Sequence, residues 1–342
     1  MDNTKCYTKV CSKIGLAMIL FYSFFTLSNA AVLVFGEALQ GAKNKFLNEV
    51  ILEILFLVVY FLSFSAAAFI LRKTCKGLPS HKPIYTSFNI KKWVLPAIIA
   101  VIAMNFALSF VNAIMISSLS PSFASKLSSP SDMTGRPMQE IVVLFIISII
   151  STAVVPAISE EYLFRGGVLT ELLPFGKTTA ILASSFLFGL MHQNPLQFLY
   201  TMLMGIIIGY VYVKTKSIWA CVLLHFLNNL VSVLEEYLPL LTKTDWTVYV
   251  LDLCIVIFGT VAVIVLLVKN NKQPSAEIDQ NGSFGVIYER GMDSEELELE
   301  LPKGQKLRKF FSRTVIIFII VCMLSVVGTV LSLIGLDIMP TV

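Results

Sequence analysis

Charge is what this sequence has least of. Only 14% of its 342 residues are Asp, Glu, Lys or Arg, against 56% hydrophobic, whereas a soluble domain carries nearer a quarter charged residues. The shortfall excludes an ordinary water-soluble domain. A net charge of +4, interrupted by apolar blocks, offers no continuous basic surface, so no nucleic-acid partner is expected. Histidine is rarer still, with three in all. The six cysteines, at positions 6, 11, 75, 221, 254 and 322, form no CxxC pair, which argues against a disulfide framework and against a thiolate zinc site. There is no HExxH and no internal repeat.

What the chain does have is long apolar runs separated by short polar ones, the layout of a polytopic membrane protein. Nine spans are expected, at roughly 14–36, 48–71, 93–117, 140–162, 178–193, 196–213, 217–240, 246–268 and 314–337, each approaching the ~20 residues that cross a hydrocarbon core. The fold class is therefore all-α, a membrane-embedded helical bundle. Lysine and arginine gather before the first span, between the second and third, and throughout 269–313. That asymmetry predicts an N-in orientation, with those segments cytoplasmic. Ser28-Asn29-Ala30 has the look of a signal-peptide cleavage site, but the apolar run continues to Phe35 and is too long for a usual h-region, so an uncleaved anchor is expected. The stretch 269–313, which includes "DSEELELELPKGQK", reads as a mobile cytoplasmic polar linker. Gly205 and Gly209 form a GxxxG that permits close helix packing.

Ionisable residues inside spans are costly and point to function. Here they are few. "ISEEYLFRGG" ends the fourth span with Glu160, Glu161 and Arg165, and two of the three histidines, His192 and His225, lie in apolar helices. Glu235, Glu236 and Asp252 fall nearer span ends, where water reaches them. Glu161 and Arg165 are four apart and share a helix face, so the arginine is expected to neutralise Glu161. Glu160, turned about 100° away, is left facing a cavity. Phe188 and His192 are four apart in "FLFGLMH", as are His225 and Asn229 in "HFLNN".

Depth can be estimated from turn positions. Pro174 and Gly176 mark a turn, which places Glu160 and His192 at equal depth, ~24 Å of helix from it. His225 lies only ~12 Å from its own turn. The three meet only if the first hairpin projects about 10 Å further, carried by an amphipathic 163–173 segment.

One carboxylate, two imidazoles and an amide suit hydrolysis of an acyl bond. A carboxylate and a histidine take a proton from water, and a histidine and an asparagine stabilise the oxyanion. Glu160, His192 and His225 could alternatively hold a Zn²⁺ with one open position, drawn from three helices. These residues leave the cofactor open between zinc and none.

Together the motifs resemble a known family. "EEYLFR" (Glu160 to Arg165) is similar to the EExxxR motif of the CAAX-protease and bacteriocin-processing family, also called CPBP or Abi. "FGLMH" (Phe188 to His192) resembles its FxxxH, and "HFLNN" (His225 to Asn229) its HxxxN/D. The resemblance covers about 156–230. It implies an intramembrane endopeptidase, of metalloprotease or glutamate type, in which Glu160 and His192 activate water. His225 and Asn229 would then stabilise the oxyanion, with Glu161, Arg165 and Phe188 in support. The expected organisation is N-terminal spans over 1–139, the family-like helical core over 140–240 and an additional span over 241–268. The linker 269–313 and a C-terminal span over 314–342 complete it. The reading is a multi-pass hydrolase of the cell membrane acting on a membrane-associated protein or peptide. Its rivals are a proton-coupled transporter, because intramembrane Glu and His also build proton relays, and a non-catalytic membrane scaffold.

Overall fold

The computed structural model describes residues 2–38, 44–78, 135–255 and 304–333, with the isolated positions 98, 99, 133, 257, 261, 299 and 301. The described residues form helices and no strand, which is the expected polytopic helical bundle. In chain order these are α1 (Asn3–Ala38), α2 (Lys45–Cys75) and α3 (Met138–Phe175). There follow α4 (Lys177–Met191), α5 (Pro195–Thr215) and α6 (Ile218–Thr242). The last three are α7 (Trp246–Ile255), α8 (Gln305–Phe310) and α9 (Arg313–Leu333). Five helices among the described residues are long and apolar enough to cross a membrane, namely α1, α2, α3, α5 over Gln197–Thr215, and α6. The apolar parts of α4, α7 and α9 are shorter. The expected span at 93–117 lies outside the described residues except for Ile98 and Ile99, both helical.

Helix α3 organises the rest. It runs for 38 residues, far more than a bilayer requires. It is interrupted by two widened, π-type turns at Ile149–Val154 and Phe164–Leu169. These bracket the regular segment Val155–Leu163 that carries Glu160 and Glu161. Each widening has a local cause. Pro156 has no N–H to give the carbonyl four residues before it, and Gly166 and Gly167 remove side chains where Arg72 and Leu71 of α2 press close. The turn that follows is where sequence placed it: Gly176 has φ 121° and its N–H bonds the Leu173 carbonyl at 3.0 Å.

The expected amphipathic extension of 163–173 is overturned. Leu163 through Leu172 are buried without exception, enclosed in one core with Tyr7, Val10 and Ile14 of α1, Leu71 of α2 and Leu187 of α4. The hairpin extends because its far end is wrapped by other helices, so it needs no polar face of its own. Of the expected linker 269–313, only residues 299, 301 and 304–313 are described. Its last part forms α8, with Phe310 buried, and the Leu299 N–H bonds the Pro174 carbonyl at 2.8 Å. Apolar contact and a backbone hydrogen bond tie this end of the polar stretch to the turn after α3.

The GxxxG of α5 packs as its spacing predicts. A Cβ on Gly205 would meet Ser185 of α4 at 3.0–3.1 Å, and one on Gly209 would touch Leu169 and Ile181. All six cysteines are unpaired thiols.

Candidate active site

The site is assembled between α3, α4 and α6, with one contact from α2. Glu161 is fully buried, and its Oε1 accepts hydrogen bonds from Arg165 Nη1 and His225 Nδ1, both at 2.8 Å. The i,i+4 ion pair foreseen from spacing is present, and a histidine from another helix shares the same oxygen. Arg165 is held by both terminal nitrogens and by its face. Its Nη2 donates to the Gly205 carbonyl at 3.2 Å, and its guanidinium lies over the Phe188 ring at 4.9 Å. That carbonyl is reachable because Gly205 lets α5 approach α4 closely.

Glu160 is only 3% exposed, yet it faces a different set of partners from Glu161. Its Oε1 accepts the phenolic O–H of Tyr60 on α2. Its Oε2 has no hydrogen-bond partner among the described residues and lies 3.8 Å from His225 Nε2. His225 therefore touches Glu161 with one ring nitrogen and faces Glu160 with the other. Because Nδ1 is committed to Glu161, ring rotation and the orientation of Nε2 are both fixed.

His192 caps the end of α4, where its Nδ1 lies 2.9 Å from the Phe188 carbonyl. A carbonyl can only accept, so Nδ1 carries the proton and the neutral ring keeps a lone pair on Nε2. Phe188 meets both imidazoles edge-on, His192 at 5.0 Å and His225 at 5.9 Å between centroids. One aromatic ring thus spaces the two histidines and receives the arginine. The motif Phe contributes geometry, which spacing alone had reduced to reach.

Asn229 is half-buried. Its Nδ2 donates to the Thr152 carbonyl at 3.0 Å, and its Oδ1 accepts from Asn228 at 3.1 Å. Thr152 stands four residues before Pro156, so its carbonyl is the one that the proline cannot serve. One amide hydrogen of Asn229 fills that gap, and the other has no partner among the described residues. Asn228 in turn accepts from the phenol of Tyr200 on α5.

The widened turn that contains Arg165 is stabilised by side chains of α2, α4 and α3 itself. Ser184 donates to the Phe164 carbonyl at 3.2 Å, Thr170 to that of Arg165 at 2.6 Å, and Arg72 to that of Gly166 at 3.0 Å. Arg72 also covers the Tyr162 ring at 4.9 Å.

With His225 Nδ1 engaged by Glu161 and Glu160 Oε1 by Tyr60, the donors a metal could use are Glu160 Oε2 and the Nε2 atoms of His192 and His225. Among the described residues no group of three His, Cys, Asp or Glu side chains is arranged to hold an ion. As placed, Glu160, His192 and His225 do not form a zinc cage.

Tyr60 was not foreseen from sequence. It is the lone polar side chain between Ile54 and Leu62, but a tyrosine in an apolar run packs like any aromatic, and here it does so against Phe25 and Phe64. Thr152 is equally invisible, because it acts through its carbonyl.

No curated protein and no solved structure gives a significant match to the chain. A family does. Residues 142–231, the stretch that holds Glu160, Glu161, Arg165, Phe188, His192, His225 and Asn229, match the family described as Type II CAAX prenyl endopeptidase Rce1-like, in agreement with the CAAX-protease and bacteriocin-processing family that the three motifs resemble.

Proposed function

We propose that the protein is an intramembrane endopeptidase of glutamate type, which hydrolyses a peptide bond of a membrane-associated protein or peptide. The observation that carries this reading is the pairing of Glu160 Oε2, buried and without a hydrogen-bond partner among the described residues, with His225 Nε2 at 3.8 Å. A water bonded to both at about 2.8 Å fits that separation.

In this mechanism Glu160 takes a proton from the water as its oxygen attacks the substrate carbonyl carbon. The developing oxyanion is met by the His225 side of the site and by the spare amide hydrogen of Asn229. His192, with Nε2 as an acceptor, assists proton transfer. Collapse of the tetrahedral species breaks the C–N bond, and the proton held by Glu160 passes to the leaving amine. Glu161 and Arg165 hold His225 and the helix in place and take no proton in the cycle. No step requires a metal.

The family match supports a substrate that is lipid-anchored or otherwise presented at the membrane. The test is cleavage of an internally quenched farnesylated peptide ending in a CAAX sequence, alongside an unprenylated transmembrane peptide, by purified protein in proteoliposomes. Cleavage by wild type, lost in Glu160→Ala, supports the assignment. Cleavage that survives in Glu160→Ala, His192→Ala and His225→Ala alike overturns it.

A further inference from the structure

The family-like segment begins at residue 142, yet a hydrogen bond to Glu160 comes from residue 60 on α2. A carboxylate has two oxygens related by rotation about its last side-chain torsion, which is broad and roughly two-fold. The two oxygens are equivalent, so for Glu160 to hold either one against a water beside His225 the plane of the carboxylate must be fixed. Among the described residues one contact fixes it. Tyr60 binds Oε1, and the opposite oxygen is the one that lies 3.8 Å from His225 Nε2.

The phenol is itself held. The Tyr60 ring packs against Phe64 at 4.7 Å and edge-on against Phe25 of α1 at 5.8 Å between centroids. Phe64 in turn contacts Phe21 at 4.4 Å. The aromatic cluster that joins α1 to α2 therefore fixes the donor, and the donor fixes the carboxylate.

We infer that Tyr60 is a positioning residue of the active site, supplied by the N-terminal helices, which orients Glu160 by hydrogen-bonding the oxygen turned away from the water. The inference rests on the proposed role of Glu160 as the base. It also means that the 142–231 segment alone does not contain a complete site.

Tyr60→Phe tests this, because it keeps the ring contacts and deletes only the O–H. The turnover number is expected to fall about 10- to 100-fold, the scale of a misoriented reacting group, with KM changed less than about two-fold. Thermal unfolding of the variant in detergent should stay close to wild type. In a Glu160→Gln background, adding Tyr60→Phe should leave the residual rate unchanged. An unaltered turnover number in Tyr60→Phe, while Glu160→Ala is inactive, overturns this inference and leaves the proposed function standing. A loss confined to KM also overturns it. A second measurement does not need activity: the infrared carboxyl bands that disappear in Glu160→Gln should shift in Tyr60→Phe. Unshifted bands show that the contact is not formed.

Discussion

His225 gives its Nδ1–H to Glu161 at 2.8 Å while its Nε2 stands 3.8 Å from Glu160, so one ring spans two adjacent carboxylates of another helix. Two consecutive glutamates are thereby given different work, one anchoring the imidazole and the other facing it. His225→Ala should lower the rate by roughly 10²–10³-fold, the range for a lost oxyanion donor. Glu161→Gln, which keeps an acceptor oxygen, should lose less. A steady-state assay on both variants checks the order, and equal losses would count against the division of roles.

The Glu161–Arg165 pair is buried on both sides, at 0% and 1% side-chain exposure. Removing one partner from such a pair strands a charge and costs about 3–5 kcal/mol. Arg165→Met and Glu161→Gln should each lower the unfolding temperature in detergent more than Arg136→Met, whose ion pair with Glu49 is part-exposed. The double variant Glu161→Gln/Arg165→Met should recover part of the loss. Additive losses in that cycle would show that the pair does not act as a unit.

Three helical glycines rank by the space around them. An added methyl at Gly189 would sit 2.9 Å from the backbone oxygen of Phe198, one at Gly205 would sit 3.0 Å from the Ser185 side chain, and one at Gly328 meets nothing within 4 Å among the described residues. Overpacking of this kind costs about 1–3 kcal/mol, whereas Gly to Ala in an open helix gains up to about 1 kcal/mol. The expected order of unfolding temperature is Gly189→Ala below Gly205→Ala below Gly328→Ala. Gly205→Ala should also weaken the Arg165 bond to the carbonyl of residue 205, which activity would register.

Metal dependence follows from how the side chains are grouped. Among the described residues no three His, Cys, Asp or Glu side chains are placed to hold an ion, whereas an open catalytic zinc site uses three protein ligands. Dialysis against a chelator should leave peptidase activity within about two-fold of the untreated protein. Loss on chelation, with recovery on adding Zn²⁺, would require these side chains to rearrange and would move the mechanism to a metalloprotease.

Much of this site was legible because helical spacing is rigid. The 161/165 and 188/192 pairs are four-residue relationships, and the contacts at 2.8 Å and 5.0 Å follow from them. What crosses between helices was less legible. Spacing left His225 about 10 Å out of depth, because the burial of 163–172 by α1 and α2 depends on long-range packing. Tyr60 escaped for the same reason. Hydropathy placed the spans well: five of the nine expected fall on long apolar helices, and 178–193 with the described parts of 246–268 and 314–337 fall on helices of shorter apolar length.

Pro156 and Asn229 offer a test that separates stability from chemistry. The proline leaves the Thr152 carbonyl without a helical N–H, and Asn229 Nδ2 supplies the missing bond at 3.0 Å. Asn229→Ala should therefore cost about 1–3 kcal/mol from an unsatisfied carbonyl, together with most of the activity. Pro156→Ala restores an N–H to that carbonyl, so the double variant Pro156→Ala/Asn229→Ala should regain unfolding temperature. If the second amide hydrogen of Asn229 serves the oxyanion, the rate should stay about 10²–10³-fold down in that same protein. Recovery of rate together with stability would mean that Asn229 braces the helix and does nothing to the substrate.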